Sequence, residues 1–115
     1  MPYVSIQTSR RLDEPGKEAF LKKTSAFFAE LLGKPESSIM LYLEADADML
    51  FARGGDPAAF VAVKSIGLPR GEAPRYVKEI CSFLESEIAV DPARTYVELS
   101  AIDRELFGHN GNTFG

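Results

Sequence analysis

An internal repeat constrains the fold of this chain more than any other feature of its sequence. When the sequence is offset by 57 positions, the segment YVSIQTS falls on FVAVKSI, IMLYL falls on YVELS, and Pro35 falls on Pro92. The pattern continues without a gap, and each half is typical of a strand, a helix, a turn with proline and a second strand. Two repeated βαβ units predict an α+β fold with a four-stranded mixed sheet and two helices.

The two helices are predicted by apolar residues that recur with a period of 3.6 residues. The first stripe lies in GKEAFLKKTSAFFAELLGK, where Gly33 ends the helix and Pro35 prevents its continuation. The second lies in RYVKEICSFLESEIAV. The stripes comprise Phe20, Thr24, Phe27, Phe28, Leu31 and Leu32, and then Val77, Ile80, Cys81, Leu84 and Ile88. Right-handed crossovers in both units place both helices on one face of the sheet.

The other face of the sheet predicts that the protein associates with itself. The chain of 115 residues is one domain, with pseudo-repeats at about 1–46 and 58–102 and a C-terminal tail at 103–115. Val, Phe, Leu and Tyr side chains are expected on this open face, and no segment is left to cover them. An uncovered apolar face favours a symmetric oligomer. Phe107 and Phe114 suggest that the tail also docks, with a neighbouring copy as one candidate surface.

Composition and charge exclude several classes of protein. The formal net charge of −4 argues against a nucleic-acid or anionic-membrane partner. No stretch approaches the ~18 apolar residues of a spanning helix. The N-terminus lacks the features of a secretory signal, so a cytoplasmic location is expected, with export by a non-classical route left open.

The cysteine and histidine content narrows the chemistry. Cys81 is the only cysteine, which excludes an internal disulfide and a CxxC site, and we expect it to be a buried small hydrophobe. His109 is the only histidine, so a His/Cys metal site is not expected.

Three polar segments favour ordinary structural roles. Arg10 and Arg11 form a local basic spot that is typical of a solvated loop. The segment EADAD lacks the glycine and the terminal glutamate of a calcium loop and is expected to be a solvated strand end. The segment VKSIGLPRGEAP joins a strand to a helix without the spacing of a phosphate-binding loop, so nucleotide binding is disfavoured.

Pro2 and Lys34 each admit a structural and a catalytic interpretation. A strand can begin with proline, which has no N–H to donate to a sheet. If Met1 is removed, however, Pro2 exposes an amine whose pKa burial lowers, and such a base suits proton abstraction. Lys34 either complements the dipole of the first helix or holds a substrate carboxylate. The residues by themselves leave these alternatives open.

The motifs MP, GKP, SIG and NTFG, in this order on a repeated βαβ frame, resemble the macrophage migration inhibitory factor family of the tautomerase superfamily. The resemblance spans essentially the whole chain. It implies a homotrimer around a central channel, with pockets between subunits and the open face covered. It also implies a keto–enol tautomerase that needs no cofactor and acts on phenylpyruvate-like or dopachrome-like carbonyl compounds. The alternative that it implies is a cytokine-like protein that binds a receptor.

Transferred by position, the resemblance also implies roles for particular residues. Pro2 becomes the catalytic base, and Lys34 the cation that binds the carboxylate or polarises the oxygen of the substrate. The implied substrate-binding residues are Ser65, Ile66 through its backbone amide, Tyr96 from the neighbouring subunit, Glu98, Phe107 and His109.

Several positions depart from the mammalian cytokine. Glu98 stands where that protein has a neutral amide, and its charge would repel an anionic substrate. His109 and Ser38 replace aromatic residues near the pocket mouth. The segment at 58–61 has no sulfur where the cytokine has CxxC, so thiol-oxidoreductase activity is not expected. These changes favour weak activity on the usual substrates, a different natural substrate, or a vestigial pocket.

Overall fold

The computed structural model describes residues 1–115 as a sheet layer covered by two helices. The elements are β1 (Pro2–Thr8), α1 (Glu14–Leu32), β2 (Met40–Glu44), β3 (Ala59–Ile66), α2 (Ala73–Ile88), β4 (Thr95–Ile102), β5 (Gly108–His109) and β6 (Asn112–Thr113). The main sheet has the order β2-β1-β3-β4, in which β1 is parallel to β2, β3 is parallel to β4, and β1 is antiparallel to β3. The predicted α+β fold is confirmed. Neither helix is long and apolar enough to cross a membrane.

Both helices cover the same face of the sheet, as predicted. They contact each other through phenylalanine rings, since Phe27 of α1 stacks on Phe83 of α2 with ring centroids 4.2 Å apart. Beneath them lies one hydrophobic core, built from alternate strand residues and the inner rows of the helices. Its most deeply buried members are Val4, Ile6, Val61, Val63, Phe28, Ile80, Leu84 and Val90.

The start of α1 is set by Asp13, which precedes the segment beginning at Gly16 that carries the predicted stripe. Oδ1 of Asp13 accepts a hydrogen bond from the Gly16 N–H at 2.7 Å, and Pro15 lies in the first turn. An aspartate cap and an early proline are both favourable at a helix N-terminus. The helix therefore begins two residues earlier than the periodicity indicates, and it ends at Gly33 with φ 64°, as predicted.

The buried row of α2 confirms Ile80, Leu84 and Ile88 of the predicted stripe and contains Tyr76 in place of Val77 and Cys81. Its buried residues follow the i, i+4 spacing of a helix face: Tyr76, Ile80, Leu84 and Ile88. Val77 and Cys81 lie beside this row and are only half-buried, so the prediction of Cys81 as a buried small hydrophobe is wrong. Partial burial nevertheless raises the pKa of its thiol.

The C-terminus of α2 depends on Arg10, which lies in a loop as predicted but is half-buried and hydrogen-bonded rather than solvated. Nε of Arg10 donates to the carbonyl of Ile88 at 2.8 Å, and Nη2 donates to the carbonyl of Ala89 at 2.9 Å. These carbonyls have no partner within the helix, so the guanidinium satisfies them and complements the helix dipole. Arg11 is exposed, as expected.

Ala89→Gly is expected to raise the free energy of unfolding by about 0.5–1 kcal/mol, because glycine adopts the left-handed conformation without steric cost. Ala89 is exposed and has φ 54° and ψ 46°, where its Cβ is unfavourable. Urea denaturation measures the change. As the matched control, Ala26→Gly on the exposed side of α1 should instead destabilise the fold by about 1 kcal/mol. A loss of stability in both variants would contradict the expectation.

The open face of the sheet is less aliphatic than expected. Side chains alternate along a strand, and the Val and Leu residues of the strands point towards the helices. The expectation of Val and Leu on the open face is therefore wrong. This face instead carries Tyr3, Met40, Tyr42, Phe60, Ile66, Tyr96 and Ile102 together with Glu44, Lys64 and Glu98. It combines large apolar groups with fixed charges.

The C-terminal tail folds as a small hairpin that was not predicted. β5 and β6 pair antiparallel across Asn110 and Gly111, which have φ 53° and 80°. An Asn-Gly pair is a typical signal of a two-residue hairpin turn. The rings of Phe107 and Phe114 lie 5.9 Å apart, and the Phe114 N–H donates to the Phe107 carbonyl at 3.0 Å. These two phenylalanines therefore pack against each other within the chain.

Candidate functional site

Several segments of the chain meet at the end of the sheet where β1 begins. Because β1 is antiparallel to β3, the start of β1 lies beside the end of β3, and Pro2 is paired with Ser65. β4 is parallel to β3, and Ser65 is paired in turn with Ala101. Helix α1 runs back between its two parallel strands, so its C-terminus returns to the same end and brings Lys34 there. We call this region the Pro2 end of the sheet.

Pro2 and Ser65 lie side by side on the helix-covered face. Both residues are buried, and they face the same side of the sheet as Val4 and Val63, which lie two residues away along their strands. The Ser65 hydroxyl donates to the Ile66 carbonyl at 3.4 Å, a long contact that leaves the hydroxyl weakly held. β3 ends at Ile66, and Gly67 with φ 71° turns the chain towards α2. Predicted site residues of β1 and β3 are thus adjacent.

The electrostatic surroundings of the N-terminus favour a neutral amine. Partial burial has the largest effect and lowers the pKa of the Met1 amine, and the positive charges of Lys34 and Arg104 lower it further. Lys34 is half-buried and forms no salt bridge, so no carboxylate offsets its charge. An amine at this end of the sheet is therefore easier to deprotonate than an exposed one.

Tyr96 and Glu98 do not join Pro2 within one chain. The β3–β4 register pairs Tyr96 with Phe60, five residues from Ser65, and this places it about 16 Å along the sheet from the Pro2 end. Glu98 is exposed on the open face, and Tyr96 is 62% exposed. The ring of Phe51 meets that of Tyr96 edge-on at 5.1 Å. Tyr96 could therefore reach Pro2 only in another copy of the chain.

Phe107 and His109 belong to the tail that follows β4. Phe107 is half-buried, whereas the exposed His109 stacks on Phe114 with ring centroids 6.2 Å apart. Ser38 follows α1, and its hydroxyl donates to the Pro35 carbonyl at 2.8 Å. β4 and α1 both end at the Pro2 end of the sheet, so the segments that carry Phe107, His109 and Ser38 start from this end.

The single chain presents this region as a surface rather than as a cavity. None of its four main cavities is lined by Pro2 or Lys34. The most prominent has a volume of about 570 Å³ and lies between the outer sides of α1 and α2, around Phe27 and Phe83. A pocket at Pro2 therefore needs further walls.

Two residues near the predicted site were missed by sequence reasoning. Arg104 follows β4 by two residues, and its charge acts on the N-terminal amine. Its proximity depends on the strand order β1-β3-β4, which the repeat alone does not specify. Phe51 lies in an irregular segment, and no local pattern indicates its contact with Tyr96.

Three comparisons with known proteins match the same family over essentially the full length of the chain. The model of the family described as Macrophage migration inhibitory factor (MIF) matches residues 1–115. The macrophage migration inhibitory factor homologs of Brugia malayi and Wuchereria bancrofti are 33% and 31% identical over 116 residues, and both alignments cover 100% of this chain and of the relative. The crystal structure of the homologue from Prochlorococcus marinus aligns with a TM-score of 0.89 and 32% identity, covering 98% of this chain and 99% of that one. The chain therefore belongs to the macrophage migration inhibitory factor family.

Proposed function

We propose that this protein is a cofactor-free keto–enol tautomerase and that its base is the amine of Pro2 after the removal of Met1. The observation that carries the proposal is the meeting of Pro2, Lys34 and the Ser65–Ile66 strand end at one end of the sheet. Family membership supports it. Phenylpyruvate-like or dopachrome-like carbonyl compounds are the proposed substrates.

The proposed reaction transfers one proton between carbon and oxygen. Pro2 removes a proton from the carbon beside the carbonyl, and the electron pair of that C–H bond forms the C=C bond as the C=O bond becomes C–O⁻. Lys34 and the Ile66 amide stabilise the developing negative charge. The proton held by Pro2 then passes to the oxygen, and the reverse sequence converts the enol to the ketone. Ser65 lies beside Pro2 at the border of the proposed site.

The rest of the proposed pocket comes from neighbouring subunits. Tyr96 lies about 16 Å from the Pro2 end of its own chain, so it serves a neighbour's pocket. Glu98 lies two residues further along the same strand, and Phe107 and His109 border the pocket from the tail. A homotrimer around a central channel both completes this site and covers the aromatic open face.

Multi-angle light scattering should give a mass about three times the 12.6 kDa of one chain at micromolar concentration. The reason is that Tyr42 and Tyr96 are 50% and 62% exposed on an open face that has no cover within the chain. A monomer mass would contradict both the trimer and a pocket shared between chains.

The direct test of the function is turnover of enol phenylpyruvate by protein whose intact mass shows that Met1 is absent. Saturable turnover supports the proposal. The second candidate is a cytokine-like protein with a vestigial pocket, and the charge of Glu98 and the loss of aromatic groups at Ser38 and His109 favour it. That candidate predicts saturable binding to a protein receptor with negligible turnover.

A further inference from the structure

The Pro2 end of the sheet carries four positive side chains that form no salt bridge. Lys34 follows α1, Arg70 follows β3 and Arg104 follows β4, and Lys64 is paired with Tyr3 near the start of β1. Glu36, Glu72, Asp103 and Glu105 lie on segments at the same end, but none of them forms a salt bridge with these four cations. Cations without an ion-pair partner are available to an anionic ligand.

Arg104 is held in place within this group. Nη2 of Arg104 donates to the Phe114 carbonyl at 3.0 Å, which ties the guanidinium to the C-terminal hairpin. An arginine has five N–H donors, so most of its donors remain available. Asp103 and Glu105 are its sequence neighbours, but neither forms a salt bridge with it. The guanidinium is exposed and is positioned by one hydrogen bond only.

Arg104 and Lys34 approach the N-terminal amine from different sides. In the order β2-β1-β3-β4, Lys34 belongs to the β1–β2 unit, whereas Arg104 follows β4, two strands from β1. Neighbouring strands lie about 4.8 Å apart, so β1 and β4 are separated by about 10 Å, a gap that the long side chain of arginine partly bridges. The placement of both residues at this end agrees with the lowering of the pKa of the Met1 amine by the charges of Lys34 and Arg104.

We propose that Arg104 is a second anion-binding residue of the candidate site and that the site selects ligands with two carboxylates. Lys34 binds one carboxylate and Arg104 binds the other. The consequence for substrate choice rests on the proposed tautomerase function, because a 2-oxo acid with a second carboxylate then becomes the favoured substrate. Binding of a dicarboxylate does not depend on that function.

Fumarate and crotonate form a matched pair of probes, because they share a carbon skeleton and differ by one carboxylate in place of a methyl group. In NMR titrations of the oligomer, wild type should bind fumarate about tenfold more tightly than crotonate, since a charge-assisted hydrogen bond is worth about 1.5–3 kcal/mol in a favourable site. Arg104→Gln should abolish this preference and leave crotonate binding unchanged. Arg104→Lys keeps the positive charge and should therefore retain part of the preference for fumarate.

Arg11→Gln is the matched control, because Arg11 is an exposed arginine that follows the far end of β1. It should bind both probes as wild type does. The proposal is overturned if wild type shows no preference for fumarate, if Arg104→Gln keeps the preference, or if Arg11→Gln loses it as well. The NMR spectrum of each variant verifies its fold in the same experiment.

A kinetic comparison separates this proposal from the tautomerase itself. Wild type should convert enol oxaloacetate with a higher kcat/KM than enol phenylpyruvate, and Arg104→Gln should reverse this order mainly through KM. Turnover of both enols without an effect of Arg104→Gln would overturn the role of Arg104 and leave the tautomerase standing. Tight fumarate binding without turnover of either enol would support the anion site and contradict the tautomerase.

Discussion

Protein that retains Met1 is expected to tautomerise enol phenylpyruvate about 10²–10⁴ times more slowly than protein that begins at Pro2, because a positioned general base contributes a factor of this size. With Met1 attached, the nitrogen of Pro2 is an amide and has no useful basicity. The free amine then belongs to Met1 and lies one residue, about 3.8 Å, from its proposed position. Intact mass spectrometry distinguishes the two forms, and initial rates compare them.

Two variants test whether the position of the amine is what matters. An alanine inserted between Met1 and Pro2 should reproduce the slow form, because Pro2 again becomes an amide. Pro2→Gly keeps a free amine at the same place and should therefore lose less activity than the insertion. Equal rates for wild type, Pro2→Gly and the insertion would remove Pro2 from the mechanism.

The pH dependence of kcat/KM provides a second measure of the same base. Activity requires the neutral amine, so it should rise with pH through a pKa below the ordinary value of about 8 for an α-amino group. Burial and the positive charge of Lys34 both disfavour the protonated form, as they do for the Met1 amine. Lys34→Ala removes that charge, so the pKa should rise and the profile should move to higher pH. Lys34→Arg should leave the midpoint near that of wild type.

The repeat predicted the fold well because its signals are local and periodic. The segment YVELS lies within β4, from Thr95 to Ile102, and the predicted stripe of α1 includes the buried residues of that helix. The errors arose where a residue interacts with a distant part of the chain. Arg10 was predicted to be a solvated loop residue because its partners lie 78 and 79 positions away, at the end of α2.

The candidate site likewise depends on contacts between distant parts of the chain, which local sequence patterns do not specify. The proximity of Pro2 to Ser65 follows from the antiparallel pairing of the two repeats, which the order of elements leaves undetermined. Periodicity was also insufficient for α2, where Tyr76 and Val77 are both apolar and only packing against the sheet decides which one is buried. Roles for Tyr96 and Glu98 came from the family resemblance, and their wide separation from Pro2 in one chain is visible only in the register of β3 and β4.

Arg94→Met is expected to lower the free energy of unfolding by about 2 kcal/mol, because Arg94 organises the irregular segment between β2 and β3. Its guanidinium donates four hydrogen bonds to backbone carbonyls in that segment, at 2.9–3.2 Å. The acceptors are the carbonyls of Phe51, Gly54, Asp56 and Pro57. Methionine fills a similar volume but leaves these carbonyls without their partner.

The loss of Arg94 should also disturb the packing of the Tyr96 ring. The guanidinium lies 5.2 Å from the centroid of the Phe51 ring, which in turn contacts the Tyr96 ring. Arg94→Lys keeps the charge but cannot reach four carbonyls with one ammonium group, so it should recover only part of the stability.

Arg53→Met is the matched control, since Arg53 lies in the same segment, is exposed and makes no side-chain hydrogen bond. Urea denaturation should show a change within about 0.5 kcal/mol for Arg53→Met. Equal losses in the two methionine variants would mean that removal of a positive charge, rather than the four hydrogen bonds, accounts for the effect.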